Sequence, residues 1–147
     1  MIPSTEITLD FDHTVGTEDR FVIKHLLEDF VDVINNQPHD ELKAMISGAA
    51  IAEGFTEFAM QKPQLLDMFY KKFYGRRKSF IRFPELKLSS THNLFHINGD
   101  YEEYLEEILA AAGTIKMSLI KTDDGFEFIG FKFYPRMRMQ VETETNL

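Results

Sequence analysis

Five histidines carry the most versatile side-chain chemistry in the chain: His13, His25, His39, His92 and His96. His92 and His96 are four apart, a spacing that on a helix would put both on one face and let them chelate a metal. Their segment, Thr-His-Asn-Leu-Phe-His-Ile, has the texture of a strand, where four residues span about 13 Å. One metal cannot bridge that distance, so each reads better as a hydrogen-bonded sheet histidine or a lone polar group. His39-Asp40 has the composition of a catalytic pair, but adjacent residues do not face each other, and capping a short helix suits them better. Glu102, Glu103, Glu106 and Glu107 could suggest paired carboxylates or a cation site. No Gly or turn wraps them around an ion, so a solvated face accounts for them better. The chain has no Gly-rich phosphate loop, no Gly-x-Ser-x-Gly elbow and no His-Glu-x-x-His. It also has no Cys, which excludes disulfides and thiol chemistry and weakens any structural zinc reading. Neither a metal nor a cofactor is expected.

With 147 residues and 44% apolar content, the chain is expected to form one domain over 1–147 with a sizeable core. No run approaches the roughly 20 apolar residues that span a bilayer, and Met-Ile-Pro-Ser-Thr-Glu does not read as a secretion signal. The expected location is therefore cytoplasmic, with no membrane partner. Sixteen basic against twenty-four acidic residues give a net charge of −8, which disfavours a nucleic-acid partner. The one basic cluster, Lys71, Lys72, Arg76, Arg77 and Lys78, lacks interleaved aromatics. It reads as a helix C-terminus complementing its dipole.

The elements that must position these residues follow from periodicity. Thr17 is a suitable N-cap ahead of Glu18 and Asp19, and Val22, Ile23, Leu26, Leu27, Phe30, Val33 and Ile34 form one helical stripe that Asn35-Asn36-Gln37-Pro38 ends. A short helix is expected over Asp40–Ser47. A third helix runs from Pro63 through Leu65, Leu66, Phe69 and Phe73 to a stop at Gly75. Strand preferences follow at Ser79–Phe83 and Leu86–Ile97, on either side of Pro84. Thr114 to Tyr134 reads as a long hairpin turning at Asp123-Asp124-Gly125, with Ile115, Met117 and Leu119 on one face. A slip at Ile129-Gly130 marks a bulge that keeps its Phe set on one side. Residues 1–16 and 141–147 are expected to be tails around a core of about 18–138. Segment 101–112 is contested. Tyr101, Tyr104, Leu105, Ile108, Leu109 and Ala112 match a helical stripe, whereas Asn98-Gly99 signals a hairpin turn and therefore a following strand.

This order, helix, short helix, small-residue strand, helix and then curved strands ending in a bulged hairpin, resembles the nuclear transport factor 2-like superfamily. Asn35-Asn36-Gln37-Pro38-His39-Asp40-Glu41-Leu42 looks like the end of its first helix, and Lys121-Thr122-Asp123-Asp124-Gly125-Phe126 looks like its final hairpin. The resemblance implies an α+β fold: a curved mixed β-sheet wrapped around N-terminal helices as a cystatin-like cone. It also implies a strand over 101–110 and an apolar pocket at the open end. Ketosteroid isomerases of this superfamily use a Tyr and a protonated Asp as oxyanion donors and another Asp as base. Carried over by position, these three fall on Phe30, Met117 and Gly54, none of which can do that work, although one residue of register would bring Glu53 to the base position.

The expected function is accordingly the binding of a small apolar molecule in a conical pocket lined by Phe30, Gly54, Phe69, Phe73, Met117 and Phe128, without the isomerase mechanism. The alternative is a dehydratase- or cyclase-type enzyme with relocated acid–base groups drawn from Glu53, Tyr70, His92 and His96. A homodimer through the outer face of the sheet is also expected. Ile120 opposes the Ile115–Leu119 face, and Met137 and Met139 alternate with Arg136 and Arg138, leaving apolar residues on both faces of the C-terminal strands.

Overall fold

The computed structural model describes residues 5–36, 39–54, 57–73 and 79–138, and of these the side chains of His39, Lys72, Phe73, Ser79 and Arg138 lie outside the description. Several expectations therefore fall beyond it: the Gln37-Pro38 and Gly75 stops, most of the basic cluster, Met139 and the 141–147 tail. A helix α1 spans Thr17–Asn36, with Glu18 and Asp19 in its first turn complementing the dipole. It buries Ile23, Leu27, Phe30, Val31, Val33, Ile34 and Asn35. Helix α2, His39–Met45, gives way directly to strand β2, Ile46–Glu53. The helix ends earlier than its apolar pattern suggested because Ile46 already pairs with the C-terminal strand β8, Gly125–Arg138. A short β3, Met60–Gln61, leads into α3, Lys62–Phe73.

The remaining elements are strands: β4 Ser79–Arg82, β5 Glu85–Thr91, β6 Leu94–Leu105 and β7 Ile108–Thr122. With β1, Thr8–Phe11, they build one sheet in the order β1-β5-β6-β7-β8-β2-β3, and β4 also pairs with β6. The sheet is mixed, because β1 runs parallel to β5 and β2 parallel to β8. Two expectations are corrected here. Thr8–Phe11, expected in a tail, hydrogen-bond along β5, and the flanking Ile7 and Val15 are buried. Asn98-Gly99, expected as a turn, lies inside β6, paired with Lys87 and Leu86 of β5. A Cβ on Gly99 would stand 2.1 Å from the Glu85 carbonyl oxygen, so this glycine serves close strand approach rather than chain reversal.

The true turns flank it. His92-Asn93 joins β5 to β6, with His92 at φ 57°. Glu106-Glu107 joins β6 to β7, with φ 50° and 71°, the pair of positive values that a type I′ hairpin turn demands. Segment 101–112 is thus strand, turn and strand. Tertiary pairing overrides its helical stripe, because β4 and β7 supply ladder partners on both sides of Tyr101–Leu105. The expected bulge is present: Ser118 pairs with Gly130 and Leu119 with Phe128, leaving Ile129 as the extra residue. As a result Phe128, Phe131 and Phe133 all bury on the inner face despite their uneven spacing.

Candidate functional site

The inner face of the curved sheet and the buried sides of α1 and α3 meet in a cluster of phenylalanines. Phe30 of α1 stands at its centre, with ring centroids 4.4 Å from Phe128, 5.6 Å from Phe131, 6.4 Å from Phe69 and 6.4 Å from Phe83. Edge-to-face contacts, as between Phe69 and Phe131 at 84°, alternate with offset-stacked ones, as between Phe128 and Phe131 at 25°. Both geometries suit the ring quadrupole. Met117 lies on the same face of β7, opposite Phe131, and is buried. Gly54 follows β2 at φ 96°, and a Cβ there would stand 2.1 Å from the Phe133 carbonyl oxygen. The structure therefore brings Phe30, Phe69, Met117 and Phe128 together and sets Gly54 against the backbone of the same β8 strand. The Phe73 side chain lies outside the described residues.

Polar groups in this interior are few. Tyr101 apart, Asn35 is the only polar side chain buried among the described residues. Both of its amide heavy atoms are engaged, since Nδ2 donates to the Ile81 carbonyl at 2.8 Å and Oδ1 accepts from the Ile81 N–H at 2.9 Å. The Tyr101 ring packs edge-on against Phe133 at 5.0 Å.

The acid–base candidates lie elsewhere. Glu53 is exposed and faces Lys132 at 3.6 Å. His92 sits in the exposed β5–β6 turn, and half-buried His96 projects from the face of β6 opposite buried Phe95 and Ile97. Tyr70 is 52% exposed on α3, next to buried Phe69. None of the four reaches the aromatic interior. Among the described residues no three His, Cys, Asp or Glu side chains converge as a metal site.

The outer face carries its own polar organisation. Arg82 Nη1 donates to Glu102 Oε1 at 2.9 Å, and the Tyr104 hydroxyl donates to the same oxygen at 3.1 Å. Partial burial and then the Glu102 carboxylate raise the Tyr104 phenol above its ordinary value. Along β8, the Lys132 and Lys116 ammoniums stand 5.5 and 5.8 Å from the Tyr134 ring centroid. Hydrogen bonding to Tyr134, then the charges of Tyr134 and Glu53, hold the Lys132 ammonium above the usual lysine range. At the N-terminal edge, the Thr14 N–H donated to Asp12 lowers the Asp12 carboxyl.

Sequence reasoning missed one concavity. A groove of about 750 Å³ runs between α2, the start of β2 and α3. Lys43 and Gly48 contribute from the first two elements, and Lys62, Pro63, Leu66, Asp67 and Tyr70 from α3. Its signal in the sequence is weak, because Lys43 and Lys62 are far apart in the chain and come to line one groove only through the packing of α2 and α3.

With this geometry in place, comparison with known proteins is informative at the level of fold. A cystatin-like protein of unknown function from Nostoc punctiforme superimposes with a TM-score of 0.68 at 13% identity, covering 82% of this chain and 93% of that one. The fold is a cystatin-like α+β cone. A candidate scytalone dehydratase from Novosphingobium aromaticivorans gives a TM-score of 0.68 at 12% identity, over 86% and 93% of the two chains. A protein of unknown function from Mycobacterium tuberculosis gives 0.71 at 13% identity, over 86% and 80%. No family model and no curated protein matches the sequence. Of the three positions onto which the sequence resemblance carried the isomerase donors and base, Phe30 and Met117 are buried, and Gly54 lies against the Phe133 backbone. No helix among the described residues is long and apolar enough to cross a membrane.

Proposed function

We propose that this protein binds a small apolar molecule in the interior of its cone, against Phe30, Gly54, Phe69, Phe73, Met117 and Phe128, without acid–base catalysis of the isomerase type. The observation that carries this reading is the chemistry of the interior. It is a continuous set of phenylalanine rings in which the buried amide of Asn35 is already spent on Ile81. Such a surface can exclude water and match an apolar shape, and among the described residues no carboxylate or imidazole is buried in it to serve as a base.

The rings already touch one another, at 4.4 Å between Phe30 and Phe128. A ligand must therefore part them, which makes its affinity sensitive to ring volume. Neutral aromatic probes such as indole and naphthalene are expected to raise the melting temperature and to shift the Met117 methyl signal in an NMR titration. Phe30→Ala, which frees the space of one ring, should strengthen the binding of benzene-sized probes. If neither the wild type nor Phe30→Ala moves the Met117 signal with any probe, the reading fails. We also propose a homodimer through the outer sheet face, where Ile51, Leu94, Ile120, Tyr134 and Met137 remain 36–49% exposed. Light scattering should then give twice the 17.1 kDa chain mass.

A further inference from the structure

The groove between α2, the start of β2 and α3 differs in chemistry from the cone interior. Its volume of about 750 Å³ is that of a small-ligand pocket, typically about 300–1,000 Å³. Pro63, Leu66 and the exposed ring of Tyr70 supply apolar surface. Among the described lining residues, Lys43 and Lys62 bring two cations to it, against the one carboxylate of Asp67. That carboxylate is already engaged by Lys71, whose Nζ lies 3.0 Å away. The Lys62 ammonium donates one proton to the Ile46 carbonyl, which fixes its position and leaves two of its three protons for a ligand. Lys43 has no hydrogen-bond or ion-pair partner among the described residues. The groove is therefore locally positive in a chain of net charge −8. The depression across α2, lined by Asp29, Asp32 and Glu41, has the opposite sign.

We propose that this groove binds a small aromatic carboxylate, its carboxylate between Lys43 and Lys62 and its ring against Tyr70 and Pro63. A planar anion suits the groove for two reasons. The fixed Lys62 supplies a charge-assisted hydrogen bond of set direction, and the Lys43 stem can swing its ammonium to the second oxygen. A ring laid on Tyr70 gains contact area that Tyr70 now leaves to solvent. The site is distinct from the cone interior, because Phe69 is buried against Phe30 and Phe131 whereas Tyr70, the next residue of α3, is turned to solvent.

The test uses the full chain with naphthoate and with naphthamide, which keeps the ring and removes the charge. Naphthoate is expected to shift the backbone amides of Gly48, Leu66 and Tyr70, and naphthamide to bind about tenfold more weakly or worse. Lys43→Gln should weaken naphthoate by about tenfold and leave naphthamide unchanged. Because Lys43 makes no hydrogen bond or ion pair among the described residues, that variant should keep the fold, which a melting curve checks. Lys62→Gln should do the same, with a melting curve confirming that loss of the Ile46 contact has not unfolded it. Equal binding of the two probes, or equal binding of naphthoate to wild type and Lys43→Gln, overturns the proposal. Shifts confined to Phe30, Met117 and Phe128 also overturn it, and would favour the cone interior instead.

Discussion

At the scale of single residues, Asn35 should matter more than its size suggests. It is buried on α1, and its two amide atoms satisfy both backbone groups of Ile81 on β4. Asn35→Ala leaves a buried N–H and a buried C=O unpaired, so a loss of about 2–4 kcal/mol in unfolding free energy is expected in urea titrations. Asn35→Asp is the sharper probe. It keeps an acceptor for the Ile81 N–H but sets a carboxylate oxygen against the Ile81 carbonyl, which favours the protonated acid in the folded state. A carboxyl raised in the native state binds more protons than the unfolded chain, so this variant should gain stability as pH falls from neutral towards about 4, while the wild type does not. Parallel pH profiles for wild type and Asn35→Asp would mean that the side chain has left Ile81. Nothing in the sequence marks Asn35 for this role, because an Asn near a helix end reads first as a stop signal, and its partner lies 46 residues away.

Among the elements, the long strands show where local patterns are and are not sufficient. Helix α1, the β7–β8 hairpin and its bulge were legible because each rests on its own periodicity and turn chemistry. Residues 98–112 were not legible from their own pattern, only through the resemblance that implied a strand over 101–110, because a glycine signals an unusual backbone requirement without saying which one. At Gly99 the requirement is proximity, since a Cβ would meet Glu85 O at 2.1 Å and Leu86 Cα at 2.8 Å. Both obstacles are backbone, so β5 itself must move. Gly99→Ala is expected to cost about 1–3 kcal/mol and to increase amide exchange along β5 more than along β7. Equal stability of the variant would show that β5 can shift away freely. The strand β1 was illegible for another reason: Thr-Leu-Asp-Phe is too short to establish a period, and its pairing is set by the open edge of β5. The candidate site divides in the same way. The aromatic packing of the interior could be read from composition and helix phase, whereas the Lys43–Lys62 groove depends on how α2 meets α3.

For the whole molecule, the two faces of the sheet present different problems of burial. The inner face is closed by the protein's own helices, as the buried run of Ile115, Met117 and Leu119 on β7 attests. On the outer face, register aligns Ile120 with Leu94, and Met137 with Ala112 beside Glu102, at separate places on the sheet. Between them lies a polar band in which Glu53, Lys132, Lys116 and Tyr134 already engage one another. In the proposed two-fold pair, the apolar ends would supply most of the favourable burial, and the band would set register rather than affinity. Ile120→Lys should then shift the light-scattering mass from twice 17.1 kDa towards 17.1 kDa at micromolar concentration. Met137→Lys should do so as well, because each two-fold contact places the same substitution twice in one interface. Lys116→Ala, in the polar band, should leave the dimer in place. If Ile120→Lys and Met137→Lys remain dimeric and folded, the contact lies elsewhere on the cone, and the outer-face apolar residues are ordinary exposed surface.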